Sequence, residues 1–417
     1  MREDHQEAVR RVDERRMWQR HMEMAQIGAI PGNGVNRAAF SAEDIAARHL
    51  LLSWASARNF TVGMDAIGNL FVRRPGLDPA LPPVLAGSHM DSQPRGGRFD
   101  GIYGVLAALE ALEAIDEAGL KTRRSIELVA WSNEEGGRFG PCTMGSAVHT
   151  GARELSDFME VTDNDGVKLK DALAETLAAL PQAERRALNA PVAAYIEAHI
   201  EQGPLLEMHG KPVGVVTGIQ GLRWFNVDVF GESAHAGTTP LSARKDALRA
   251  AVQIIRALAE LAEDPQDVVR FTVGRMLVTP NSTNSVASHV LFSVDLRHPD
   301  LTTVRRLGSS VEPLARKAAE PCTVKVTPTL YDDPCAFDAD VIGTIERVAA
   351  ELDLPAMRLA SGASHDAMYM ARVCPTGMIF VPCEKGVSHN EAENAKPEDL
   401  AAGARVLTAA LLDLATR

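Results

Sequence analysis

Apolar and polar positions change period several times along this chain, and each change marks a predicted element. The stretch SAEDIAARHLLLSWASARN carries apolar residues at helical spacing behind Ser41, a hydroxyl placed to cap a helix N-terminus. Short β-like runs follow in FTVGMDAIGNLFVRR, PPVLAGSH and SIELVAWSN. Between the last two, GIYGVLAALEALEAIDEAGL places Ile102, Val105, Leu106, Leu109 and Leu112 at three- and four-residue steps, which predicts an amphipathic helix. Strand, helix, strand with buried-looking strands is the pattern of an α/β layer.

The pattern differs between residues 213 and 328. RWFNVDVFG alternates like a half-exposed strand, and PLSARKDALRAAVQIIRALAELA reads as a helix. VVRFTVGRMLV and SHVLFSVDLR read as two strands, TTVRRLGSSVEPLARKAAE as a helix and CTVKVTPTL as a last strand. The resulting βαββαβ order predicts a compact, ferredoxin-like split-βαβ module. Residues 1–212 and 329–417 are expected to form one catalytic α/β domain, with 213–328 inserted into it, because candidate ligands lie on both sides of the insert.

Composition narrows the class. With 417 residues, 46% of them hydrophobic and 24% charged, the chain reads as globular and long enough for more than one domain. A net charge of −12 argues against non-specific attraction to nucleic acid or to anionic membranes. No apolar run approaches a bilayer span, and the charged N-terminal stretch lacks the apolar core of a signal peptide, so a cytoplasmic location is expected. The five cysteines show no CxxC spacing and are expected to be reduced; Cys142 has no evident histidine partner and is given no catalytic role.

The candidate chemistry lies at the ends of the apolar runs. His89 closes PVLAGSH, and Asp100 follows the glycine-rich turn DSQPRGGRFD. Glu134 and Glu135 end IELVAWSNEE, His199 lies in AAYIEAHIEQG, and His389 follows GMIFVP in KGVSHN. Two histidines on one divalent ion, an acid and a third histidine on another, and one bridging aspartate would make a two-metal hydrolytic site. Asp100 is the natural bridge, because a carboxylate offers one oxygen to each ion. Asp91 is expected to accept the free N–H of His89 and fix its tautomer. Of Glu134 and Glu135, one would ligate and the other act as general base; residue type leaves open which, and it leaves open whether the ions are zinc, manganese, cobalt or nickel. The chain is therefore expected to be a dinuclear metallohydrolase.

The ordered motifs GSHMDSQPRGGRFDGIYGVLAALEAL, SNEEGGRFG, HIEQGP, AHAGTTP, DLRHPD, SGASHDA and KGVSHNEAE resemble the N-carbamoyl-L-amino-acid hydrolase and allantoate amidohydrolase family, from about residue 20 to the C-terminus. That resemblance implies Glu134 as the base and Glu135 as a ligand with His89, Asp100, His199 and His389. It also implies Gln202 at the ureido or amide end of the substrate, His235 as oxyanion donor, and Asn284 and Arg297 on the substrate carboxylate. The loop from Gly362 to His365 would contact substrate, although Ser364 stands where glycine is commoner. The insert would serve as lid and dimerisation domain of a homodimer, with some of these residues reaching across the interface. The implied reaction is hydrolysis of N-carbamoyl-L-amino acids to the amino acid, carbon dioxide and ammonia. Hydrolysis of allantoate or another ureido or amide substrate is the alternative. A metal-stabilised binding protein is disfavoured because a base accompanies the ligands.

Overall fold

The computed structural model describes residues 3–417. It divides into two compact units, one made of the chain up to Thr217 together with Ala336–Arg417, the other of Gly218–Cys335. The strand Val213–Ile219, placed in the insert by its sequence position, lies in the first unit as far as Thr217 and pairs there antiparallel with Thr376–Val381.

The first unit is built on a mixed ten-stranded sheet. Its centre is parallel: Thr376–Val381, Ala194–Ile200, Val84–His89 and Ile126–Trp131 lie side by side in that order. Burial on both faces explains why these strands read as continuous apolar runs. The antiparallel hairpin Thr61–Met64 and Leu70–Arg74 extends the sheet beyond Ile126–Trp131. Ser41 caps the helix Ala42–Ser56 by accepting the Asp44 N–H.

The helix Ile102–Glu117 departs from its amphipathic expectation, for it is buried all round as far as Ile115. Its polar stripe is covered by the N-terminal helix Glu14–Met24. Arg16 pairs with buried Glu110 at 2.7 Å, and Arg20 with buried Glu113 at 2.8 Å. A stripe that looked solvated is instead a neutralised internal seam.

In the second unit, Gly221–Phe230 pairs antiparallel with His289–His298 and Thr323–Asp332. The helices Ala247–Leu261 and Leu301–Ala318 cover one face, closing a core that includes Val227, Ile254, Phe292, Leu307 and Val311. The run expected as one strand, VVRFTVGRMLV, is two: Arg270–Thr272 and Met276–Thr279 both pair with His289–His298. Thr272 lies opposite Asp295 and Met276 opposite Phe292, so the outer chain carries one extra residue, a β-bulge around Gly274.

Candidate metal centre

The carboxyl edge of the parallel strands collects the predicted ligands, where open α/β sheets bind their ligands. His89 ends its strand opposite Trp131, just short of the turn carrying Glu134 and Glu135, and His199 stands opposite Phe380. Asn133, Gln202 and His389 all adopt left-handed backbone conformations, with φ between 53° and 56°. Non-glycine residues held there tend to cluster at functional sites.

Two groups share Asp100. His89, Asp100 and His199 form one, and Asp100, Glu135 and His389 the other, with one donor atom from each residue within 4.8 Å of the rest. Asp100 Oδ1 lies 3.2 Å from His199 Nε2 and 3.8 Å from His89 Nε2, while Oδ2 lies 3.2 Å from His389 Nε2. Glu135 Oε2 completes the second group, 3.5 Å from His389 Nε2. The two oxygens of one carboxylate thus face two clusters.

The tautomers fit a cation. His89 Nδ1 donates to the Asp91 carbonyl at 2.9 Å, and His199 Nδ1 to the Ile200 carbonyl at 2.8 Å. A neutral ring with its proton on Nδ1 presents the Nε2 lone pair. Both lone pairs face Asp100 Oδ1, although that of His199 also accepts the Gly101 N–H at 3.2 Å, and a positive charge among these acceptors satisfies them. Protons provide it when metal is absent. For His199, burial opposes charge, yet the hydrogen bond and charge of Asp100 raise it to about 9. His389, hydrogen-bonded to the same carboxylate, is also raised to about 9, whereas burial pushes His89 down to about 4. Burial works against ionised Asp100 as well, but its hydrogen bonds with His199 and His389 hold it well below the usual carboxylate range.

The paired glutamates differ in what they face. Glu135 accepts from the Gln93 amide N–H at 3.1 Å and from Gln93 Nε2 at 2.7 Å, so its carboxylate is anchored. Burial and the charge of Asp100 raise it to about 8. Glu134 Oε2 lies 3.5 Å from His89 Nε2 and lines the same cavity as the ligands, a space of about 180 Å³. Burial, then the charges of Asp366 and Glu135, hold Glu134 well above its ordinary value. A carboxyl so placed readily takes up a proton.

Asp91 stands beside the centre with its groups used differently from expectation. Its carbonyl, not its carboxylate, is the near partner of His89; the carboxylate Oδ1 is 3.7 Å away. The carboxylate instead accepts the backbone N–H groups of Glu134 and Glu135, both at 3.1 Å. The consecutive amides of that tight turn point the same way, and a buried acid satisfies both.

Gln202 Nε2 donates to Asp100 Oδ2 at 3.0 Å and leaves its buried Oε1 without a hydrogen-bond partner. Ala363, Ser364, His365 and the exposed Cys142 line the cavity too. The His365 ring packs edge-on against His199, with centroids 4.6 Å apart, and its Nε2 lies 2.8 Å from Ser361 Oγ. Gln93, Ser388 and Glu393 escaped the sequence reading. Their only signal was a place near a candidate ligand, which a solvated loop residue shares.

Three predicted residues lie in the second unit. His235 bridges to Ser285, and the Asn284 carbonyl accepts the Ala236 N–H, so His235 and Asn284 sit together beyond the Phe230–His289 end of the sheet. His235 Nδ1 accepts the N–H groups of Gly237 and Thr238 at 3.1 and 3.2 Å, which places the ring proton of the neutral imidazole on Nε2. Arg297 is at the other end of the sheet, opposite Leu222, with its guanidinium on Asp295 at 2.8 Å. From His289 to Arg297 the strand alone spans roughly 25 Å at about 3.3 Å per residue.

With this geometry in hand, comparison with known proteins identifies the lineage. Residues 85–413 match the model of peptidase family M20/M25/M40. The chain is 40% identical over 408 residues to an N-carbamoyl-L-amino-acid amidohydrolase from Rhizobium meliloti, covering 97% of each. It is 34% identical over 407 residues to a ureidoglycolate hydrolase from Arabidopsis thaliana, covering 94% of this chain and 84% of that one. Among solved structures, it resembles a hydantoinase/carbamoylase-family amidase from Burkholderia multivorans, with a TM-score of 0.94, 40% identity and coverage of 98% and 99%. The chain belongs to the M20/M25/M40 family, within its branch of N-carbamoyl-L-amino-acid hydrolases and allantoate amidohydrolases.

Proposed function

We propose that this member of the M20/M25/M40 family hydrolyses N-carbamoyl-L-amino acids to the L-amino acid, carbon dioxide and ammonia. The observation that carries this is Asp100, whose two oxygens face His89 and His199 on one side and His389 on the other, with Glu135 beside His389 and Glu134 beside His89. The substrate class is supported by the name of the Rhizobium meliloti relative. The five ligands would hold two divalent ions, zinc, manganese, cobalt or nickel, which when bound supply Lewis-acid polarisation of the ureido carbonyl and of a water molecule.

Glu134 takes a proton from the attacking water on its carboxylate and delivers it to the leaving nitrogen as the C–N bond breaks. The carbamate released by that cleavage decomposes to carbon dioxide and ammonia. Gln202 offers its unpartnered Oε1 to a ureido N–H, and Ala363, Ser364 and His365, which follow Gly362 in its loop, border the same space. His235, with its proton on Nε2, donates to the developing oxyanion. Arg297 suits a carboxylate because its planar fork binds both oxygens, and Asn284 adds an amide donor. His235 and Asn284 are too far from Arg297 within one unit to hold one amino-acid-sized substrate together. A homodimer in which one copy supplies His235 and Asn284 and the other Arg297 meets the requirement, with Gly218–Cys335 as lid and dimerisation module.

Ammonia release by metal-free protein reconstituted with manganese tests the proposal, with N-carbamoyl-L-amino acids compared against allantoate and ureidoglycolate. Preference for the carbamoyl amino acids is expected. Preference for either ureido acid would move the function to the alternative that the Arabidopsis thaliana relative's name supports.

A further inference from the structure

One buried acid that none of these roles uses ties together two ligand-bearing segments from opposite ends of the sequence. Glu393 is 1% exposed. Its Oε1 accepts the N–H groups of Phe99 at 2.9 Å and Asp100 at 3.1 Å, and its Oε2 accepts the Ser388 hydroxyl at 2.9 Å. The first pair fixes the backbone of the shared aspartate, and the last fixes the residue before His389. Ser388 Oγ also lies 3.1 Å from Asp100 Oδ2 and receives a hydrogen bond from Gln202 Nε2 at 3.3 Å. Gly97 gives independent support, since a β-carbon there would fall 2.0 Å from the Glu393 carboxyl carbon. The turn leading to Asp100 is thus shaped around this carboxylate, and only glycine lets the two approach so closely.

We infer that Glu393 is a positioning residue for the second half of the metal centre, fixing the distance between Asp100 Oδ2 and the His389 ring. It touches no reacting atom. His389 needs such a tie more than the other histidines, because it sits in a loop and is 51% exposed, whereas His89 and His199 are fixed by strands and nearly buried. Loss of the clasp should weaken the ion held by Asp100, Glu135 and His389 while sparing the one held by His89, His199 and Asp100. The inference rests on the two-ion reading of the centre and is independent of the substrate.

The test is stepwise titration of metal-free, full-length protein with manganese against a chromogenic chelator, with elemental analysis of the bound ions. Wild type should bind two ions per chain. Glu393→Ala and Gly97→Ala should keep the tighter ion within about threefold and weaken the other about 10- to 100-fold, the usual cost of losing an outer hydrogen-bond partner. Ser388→Ala, a smaller change that removes only the hydroxyl, should weaken that second ion less, by about threefold to tenfold. Unchanged second-ion affinity in folded Glu393→Ala, or an equal loss of both ions, would overturn the role. If Glu393→Ala does not fold, wild-type affinity in Ser388→Ala overturns it instead. A wild type that binds a single ion would sink the two-ion reading itself, an outcome distinct from either.

Discussion

The two halves of the candidate metal centre are made in different ways. His89 and His199 stand on adjacent parallel strands, their Nδ1 atoms bound to main-chain carbonyls within two residues. Glu135 and His389 stand on loops, and their positions depend on side chains from elsewhere: Gln93 on the Glu135 carboxylate, Asp91 on its amide and Glu393 on the serine beside His389. A sheet-built half is rigid because its ladder is cooperative, whereas a loop-built half is only as rigid as a few hydrogen bonds. The first half should therefore bind its ion tightly and early, and the second should be the labile one.

The largest expected effect crosses both halves. Glu134→Gln should lower turnover by at least about 10²- to 10⁴-fold while both ions remain bound, because the proposed base is not one of the proposed ligands. Near-wild-type rates in the two-ion protein would remove Glu134 from the mechanism.

Gly101→Ala strikes the sheet-built half. Gly101 has φ 66°, and a β-carbon there would lie 2.2 Å from the His89 ring. The ring must move, so the tighter ion should weaken by about 100-fold or more, the upper end of outer-shell losses. Retention of both ions at wild-type affinity would show that the His89 side is as adaptable as the loop side.

Asp91→Asn is the corresponding break in the loop-built half. An asparagine sets an N–H against one of the two amide donors it must satisfy, loosening the Glu134–Glu135 turn. The second ion should weaken and kcat fall about 10-fold, with the first ion nearly unchanged. If instead the first ion is the one lost, Asp91 serves His89 more than the turn.

The smallest effect is on stability without metal. His199 and His389 are raised from 6.5 to about 9, and Glu135 from 4.5 to about 8. Each binds more protons folded than unfolded, so its contribution is present at low pH and lost as pH rises through the folded value. His89 runs the other way, but its window, from about 4 to 6.5, lies lower. Between pH 6.5 and 9 the metal-free protein should lose a few degrees of Tm (each 1 kcal/mol is worth a few degrees in a domain of this order). Manganese should flatten that slope by taking the place of the protons. Thermal melts in chelator that stay level or rise with pH would contradict it.

Much of the centre was legible in one sequence because strand ends announce themselves. An apolar run that stops at a histidine or a glutamate pair specifies both the element and the edge at which its last side chain lies, and His89, Glu134, Glu135 and His199, candidates on that ground, line one cavity. Asp100 and His389 needed the glycine-rich turn and the motif pattern as well. Periodicity misjudged Ile102–Glu117, since the charges of Glu110 and Glu113 look the same whether they face water or the guanidinium groups of Arg16 and Arg20. It also merged the strands Arg270–Thr272 and Met276–Thr279, because a one-residue bulge leaves composition unchanged.

By itself, then, the chain determined its strands, most of its helices and the chemical type of its candidate ligands, all of which depend on local pattern and residue identity. Tertiary structure decided which oxygen of Asp100 faces which histidine, that the Asp91 carboxylate holds a turn while its carbonyl orients a ring, and that Glu393 reaches back almost three hundred residues to Phe99 and Asp100. The physical reason is that a hydrogen bond depends on position to within a few tenths of an ångström, and that position is set by packing among segments far apart in the chain.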